Sequence, residues 1–168
     1  MVEGTTSPEK TAKRIMDYVK NINIAEGIFF RKLVEPYCLK DTKAQSKLEL
    51  LEIEKGLRRY IRYTLDVYGI ETLKTPVGIM NDIKKYGYLV GDCDDITLFC
   101  NLCLFSVGYR VGCKIIEQFN EGYYSHIYSI VELDGEILPF DLCSKQRVLT
   151  EPCGKEQMTD YKIFLYER

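Results

Sequence analysis

The chain has 168 residues, is 46% apolar and 29% charged, and carries a formal net charge of −2. That length can bury a full core without disulfide or metal staples, and the balanced charge excludes the broad basic field of a nucleic-acid binder. No apolar run reaches the roughly 18 residues that span a bilayer, and the polar first twenty residues do not read as a signal peptide, so neither a membrane nor classical export is expected.

Ser7-Pro8-Glu9-Lys10 predicts a helix start, with Ser7 as cap and Pro8 at the first helical position. Ile15, Tyr18 and Val19 follow at helical spacing. A second apolar helix is predicted over Ala25 to Leu39, with Ile28, Phe29, Leu33 and Val34 inward and Pro36 kinking or ending it. Asp41-Thr42 predicts the start of a third. Its face is Leu48, Leu51, Ile53, Leu57, Tyr60, Ile61 and Leu65, at three- and four-residue steps. Arg58, Arg59 and Arg62 sit on this stretch among acids and read as a solvated face. The pattern breaks near Tyr68-Gly69. Glu71 to Pro76 reads as loop, and Val77 to Tyr86 as a short helix or turn.

The second half has another texture. Gly91-Asp92-Cys93-Asp94-Asp95 opens a stretch, Ile96 to Val107, that is apolar almost all round, as buried helices are, and Gly108 ends it. Three strands are predicted at Arg110 to Phe119, Tyr124 to Leu133 and Glu136 to Leu142, and a last one at Lys162 to Tyr166. Helices first and a meandering sheet after them define an α+β chain.

The seven cysteines are odd in number, in a chain that is not short, which predicts reduced thiols in a cytosol-like compartment. Cys100 and Cys103 form a Cys-x-x-Cys pair inside the apolar helix and read as core. No second close pair joins Cys143 and Cys153 to make a zinc site. Asp92, Asp94 and Asp95 are adjacent rather than alternate, a poor calcium loop. No metal or cofactor is expected.

Cys93 falls at a helix start, where free amides favour a thiolate by about 0.3–1 kcal/mol when exposed and about 2 when partly buried. Bringing a thiol from about 8.5 to below 7 takes roughly 2 kcal/mol, and three flanking carboxylates oppose it. An imidazole partner is therefore required, and the sequence has a single histidine, His126. Asp134-Gly135 predicts a two-residue hairpin turn. That register sets Leu133 opposite Glu136, Val131 opposite Leu138, Tyr128 opposite Asp141 and His126 opposite Cys143. His126 and Asp141 become diagonal neighbours on one face. Ile127, Val131, Leu133, Leu138, Phe140 and Leu142 fill the other. Asp141 would fix the imidazole tautomer, leaving the second nitrogen for Cys93.

The segment Gly91-Asp92-Cys93-Asp94-Asp95, with its apolar helix ending at Gly108-Tyr109-Arg110, resembles the nucleophile segment of the transglutaminase-like superfamily. Ser125-His126-Ile127-Tyr128, Asp134-Gly135 and Pro139-Phe140-Asp141 resemble its histidine and aspartate strands. Tyr60-Ile61-Arg62-Tyr63 through Thr75-Pro76 resembles the stretch before the cysteine. Together these cover roughly residues 50 to 145.

The resemblance implies a papain-like fold in which the buried Cys-bearing helix packs on an antiparallel sheet. It implies a catalytic core over residues 48–168, with an N-terminal helical extension over residues 1–47 that matches nothing in the family. Cys93 is implied as nucleophile, His126 as base and acid, and Asp141 as orienter. The reaction would be attack on a protein or peptide amide through a thioester, finished by an amine (transglutaminase) or by water (peptidase or amidase). The Cys93 amide is the natural first oxyanion donor. Tyr63, Tyr88, Thr75 and Tyr128 are candidates for a second donor or for positioning substrate. Where many members carry a tryptophan before the aspartate, this chain has Ile137-Leu138. Compact members of this form occur in bacteriophages, which implies a host cytoplasm or a virion and a larger assembly joined through the N-terminal helices. The competing expectation is a catalytically idle binding or assembly module on the same fold.

Overall fold

Side-chain caps set where the helices begin. The computed structural model describes residues 7–39, 46–65, 72–145, 147–153 and 157–166. Helix α1 (Pro8–Lys20) starts where Ser7 accepts from the Lys10 amide, with Pro8 in its first turn. Helix α2 (Ile24–Val34) opens on a capping box between Asn23 and Glu26. Pro36 lies in a 3-10 turn, Glu35–Tyr37, that ends it. Helix α3 (Lys47–Arg58) is capped by Ser46. Helix α4 (Pro76–Tyr86) is capped by Thr75 and closed by left-handed Gly87.

Two of these helices differ from expectation. The α2 side chains at 0% exposure are Phe30 and Val34, whereas Ile28 is 49% exposed. The helix is apolar on most sides, so periodicity does not select its inner face. The third helix stops at Arg58, and Ile61 belongs to a strand. Leu48 and Leu65, expected inward, are 59% and 75% exposed. The expected start at Asp41-Thr42 and the break at Tyr68-Gly69 lie outside the described residues.

Helix α5 (Cys93–Ser106) is buried from Asp94 to Leu104, and Gly108 turns the chain at φ +96°. Strands β3 (Arg110–Gln118), β4 (His126–Leu133), β5 (Glu136–Phe140) and β6 (Met158–Leu165) form one antiparallel sheet in the order β5-β4-β3-β6. Asp134 and Gly135 both have positive φ, 52° and 80°. Leu133 then pairs Glu136 and Val131 pairs Leu138, the register the turn dictates. Pro139, which has no amide to donate, sits on the edge strand. Two short strands, β1 (Ile61–Tyr63) and β2 (Leu89–Gly91), pair in parallel and lead into α5.

The architecture is α+β, with the Cys-bearing helix packed on an antiparallel sheet. One apolar cluster joins α5 to Ile127, Val131, Leu138 and Phe140 of the sheet. Ala12, Ile15 and Val19 of α1 and Phe30 and Val34 of α2 belong to the same cluster. A smaller cluster, Ile116, Tyr128, Ile130 and Cys153, lies on the alternate face. Among the described residues no helix is long and apolar enough to cross a membrane.

Candidate active site

Gly91 is where the chain turns into α5. A Cβ there would stand 2.5 Å from Asp95 Oδ2, so only glycine lets that carboxylate fold back. Asp95 Oδ1 accepts the Lys74 amide at 2.7 Å, tying the loop before α4 to the helix start. The first intrahelical bond runs from the Ile96 amide to the Asp92 carbonyl, 3.1 Å, so the Cys93 amide precedes the ladder, as an oxyanion donor must.

The same turn docks on β4. Thr97 Oγ1 lies 2.6 Å from the Cys93 carbonyl and 3.2 Å from the Ile127 carbonyl, and Ser129 Oγ donates to the Thr97 carbonyl at 3.1 Å. The Ile127 amide lies where it favours the charged form of the Cys93 thiol. Cys93 is thereby set beside the residue that follows His126.

His126 Nε2 lies 2.8 Å from Asp141 Oδ2, with side-chain exposures of 16% and 2%. The other oxygen, Oδ1, accepts the Cys143 amide at 2.8 Å. With Nε2 turned to Asp141, Nδ1 is the nitrogen left over. Cys93 and His126 line one cleft of about 80 Å³, together with Tyr124 and with Pro8 and Thr11 of α1.

Cys93 differs from expectation in its charge. Burial pushes its thiol up to about 12, Asp92 adds to this, and the Ile127 amide opposes it. Asp94 is held well above the usual carboxylate range by burial first and by Asp92 next. Both causes disfavour a second negative charge beside Asp92. The Oδ1 atoms of Asp92 and Asp94 are buried without a hydrogen-bond partner. Asp92, Asp94 and Asp95 bring one carboxylate oxygen each within 4.8 Å of one another.

The four accessory candidates separate. Tyr63 pairs with Gly91 across β1 and β2 and is 52% exposed. Burial, then the charges of Cys93, Cys143, Asp92 and Asp141, push its phenol up to about 12, so it stays a proton donor at neutral pH. Tyr88 stacks under the Arg62 guanidinium, 4.9 Å from its ring centre. Thr75 accepts from the Gly78 amide at 3.1 Å as the α4 cap. Tyr128 is fully buried and stacked on His126, centroids 5.6 Å apart. It is not among the residues that line the cleft.

Five contributing residues were not visible in the sequence. Thr97 and Ser129 work through backbone carbonyls and have no motif. Arg58 is not merely a solvated residue, because its Nη1 donates to the Leu142 and Ser144 carbonyls at 3.3 and 3.0 Å and grips the loop after Asp141. Pro8 and Thr11 bring the N-terminal helix to the cleft. All seven cysteines are free, and Cys100 and Cys103 are buried in the core.

The sequence matches no protein-family model and no curated protein. Among solved structures the chain is similar to a protein from Cytophaga hutchinsonii whose assignment as a cysteine protease is itself provisional. The two are 14% identical, with a TM-score of 0.44 over 87% of this chain and 53% of the other. The chain thus spans about half the length of that structure.

Proposed function

We propose that the chain is a thiol-dependent acyl-transfer enzyme of the transglutaminase-like kind, acting on amides of proteins or peptides. Cys93 is the nucleophile, His126 the base and acid, and Asp141 the orienter. The observation that carries this reading is the 2.8 Å bond between His126 Nε2 and Asp141 Oδ2, made by a ring that shares a cleft with Cys93. The buried thiol rests protonated and passes its proton to His126 as an electrophile arrives, whether substrate amide or alkylating reagent. The Cys93 amide and the Tyr63 hydroxyl are the oxyanion donors of this reading. Residues 48–168 form the catalytic core, and the extension over residues 1–47 supplies one wall of the cleft.

A second reading has its own observation. A thiol held near 12 by burial and Asp92 suits an idle fold kept for binding or assembly. Alkylation by iodoacetamide separates the two. The enzyme reading expects selective labelling of Cys93 below pH 7, lost in His126→Ala. Labelling that climbs about tenfold per pH unit without a plateau is the behaviour of a buried thiol with no base to take its proton and selects the idle module. Incubation with a casein-like protein, with and without a labelled amine, then distinguishes transglutaminase from peptidase.

A further inference from the structure

Tyr128 follows His126 by two residues on β4, so the two side chains share a face. Their rings stack at 5.6 Å with 27° between planes. The Tyr128 hydroxyl donates a short hydrogen bond to Glu151 Oε2. Glu151 Oε1 is held in turn by Lys114 Nζ at 2.7 Å, and the Lys114 side chain is only 7% exposed. Lys114 also lies over the Tyr161 ring, 4.6 Å from its centre. A lysine buried against a half-buried carboxylate is costly to assemble, and no step of the proposed chemistry uses it.

What this pair does is hold the far end of a tyrosine. An imidazole fixed only by its bond to Asp141 can still swing about that bond. A flat, immobile neighbour removes the freedom, as outer groups do for metal-bound histidines. We propose that Tyr128 is a positioning residue for His126. Its ring, anchored through Glu151 to Lys114, fixes the plane in which the imidazole presents Nδ1 to Cys93. This rests on the Cys93–His126–Asp141 reading for its purpose, though not for its geometry.

His126 is the sole histidine, so an imidazole ¹⁵N spectrum of the intact chain reports one ring. With the ring neutral, the wild type is expected to show chiefly the Nε2-protonated tautomer. Tyr128→Phe keeps the stack but loses the bond to Glu151, so it should retain that tautomer with a broadened signal, as Glu151→Ala should, and alkylate at a rate between those of the wild type and Tyr128→Leu. Tyr128→Leu removes the flat surface. Mixed tautomers and alkylation about ten- to a hundredfold slower are expected. Glu151→Ala frees only the far end of the tyrosine, and it is the variant to read if Tyr128→Leu does not fold. Its His126 signal should broaden.

A folded Tyr128→Leu or Glu151→Ala protein with the wild-type spectrum and rate would overturn the proposal. So would a loss in Tyr128→Phe as large as in Tyr128→Leu. Ordinary Cys93 reactivity in the wild type, with the tautomer still lost in Tyr128→Leu, would remove the enzyme reading and leave the positioning role standing.

Discussion

Cys93 owes its high thiol pKa chiefly to burial, and Asp92 is the largest charged contributor. Asp92→Asn removes that charge while keeping the side chain's shape. A neighbouring charge is worth roughly one pKa unit, so alkylation of Cys93 at fixed pH should rise by about three- to tenfold. No change would mean that burial acts alone. Asp94 works in the opposite direction on stability. Its folded pKa lies above its unfolded value, so its contribution is full below about pH 4 and is lost as pH rises toward the folded pKa. Asp94→Asn offers Asp92 an N–H donor and no longer titrates. It should stabilise the fold at pH 7 by about 0.5–2 kcal/mol, the usual span for such substitutions, and by progressively less toward pH 4. Urea unfolding at the two pH values measures the difference.

The junction of α5 with β4 depends on Thr97, 2% exposed. Thr97→Val keeps the shape and removes the hydroxyl facing the Ile127 carbonyl, which should cost about 1–3 kcal/mol. Urea midpoints would show it, together with slower Cys93 alkylation as the helix start loosens. At this scale the sequence was legible where a local device sets the geometry. Asp134-Gly135 settles the hairpin register, and with it the pairing of His126 with Asp141. Ser7-Pro8, Thr75-Pro76 and Gly108 mark helix ends. It was illegible where a partner is a distant backbone. Arg58 bonds carbonyls 84 and 86 residues further on, and no pattern in its own helix announces that. The end of α3 was hidden for another reason. Tyr60, Ile61 and Leu65 continue a helical period by coincidence, while Ile61 is claimed by pairing with Leu89.

The N-terminal helices are part of the same apolar cluster as the Cys-bearing helix. Ala12, Ile15 and Val19 are at 0% exposure. Burying Ile15 and Val19 alone is worth about 1.5–3 kcal/mol each, a large share of the roughly 5–15 kcal/mol that holds a domain together. A chain lacking residues 1–21 should therefore lose about 10 °C or more in Tm, or its cooperative transition altogether, and with it the wall of the cleft that Pro8 and Thr11 provide. Calorimetry of the shortened chain tests this. An unchanged Tm would show that α1 is dispensable to the core. Nothing in the sequence marks that wall, because the first turn of α1 lies more than 80 residues from Cys93 and only the packing brings it to the cleft.

Both oxygens of Asp141 face an N–H donor, one on the His126 ring and one on the Cys143 backbone. An asparagine at this position has a single oxygen to offer. Given to the backbone, it leaves its NH₂ against Nε2 and drives the ring proton to Nδ1, the atom that the proposed chemistry needs unprotonated. Given to the ring, it sets two donors head to head at Cys143 and prises the loop open. Asp141→Asn should therefore fold and yet lose about 10³–10⁴ in the neutral-pH reactivity of Cys93. The imidazole spectrum would say which way round the amide had settled.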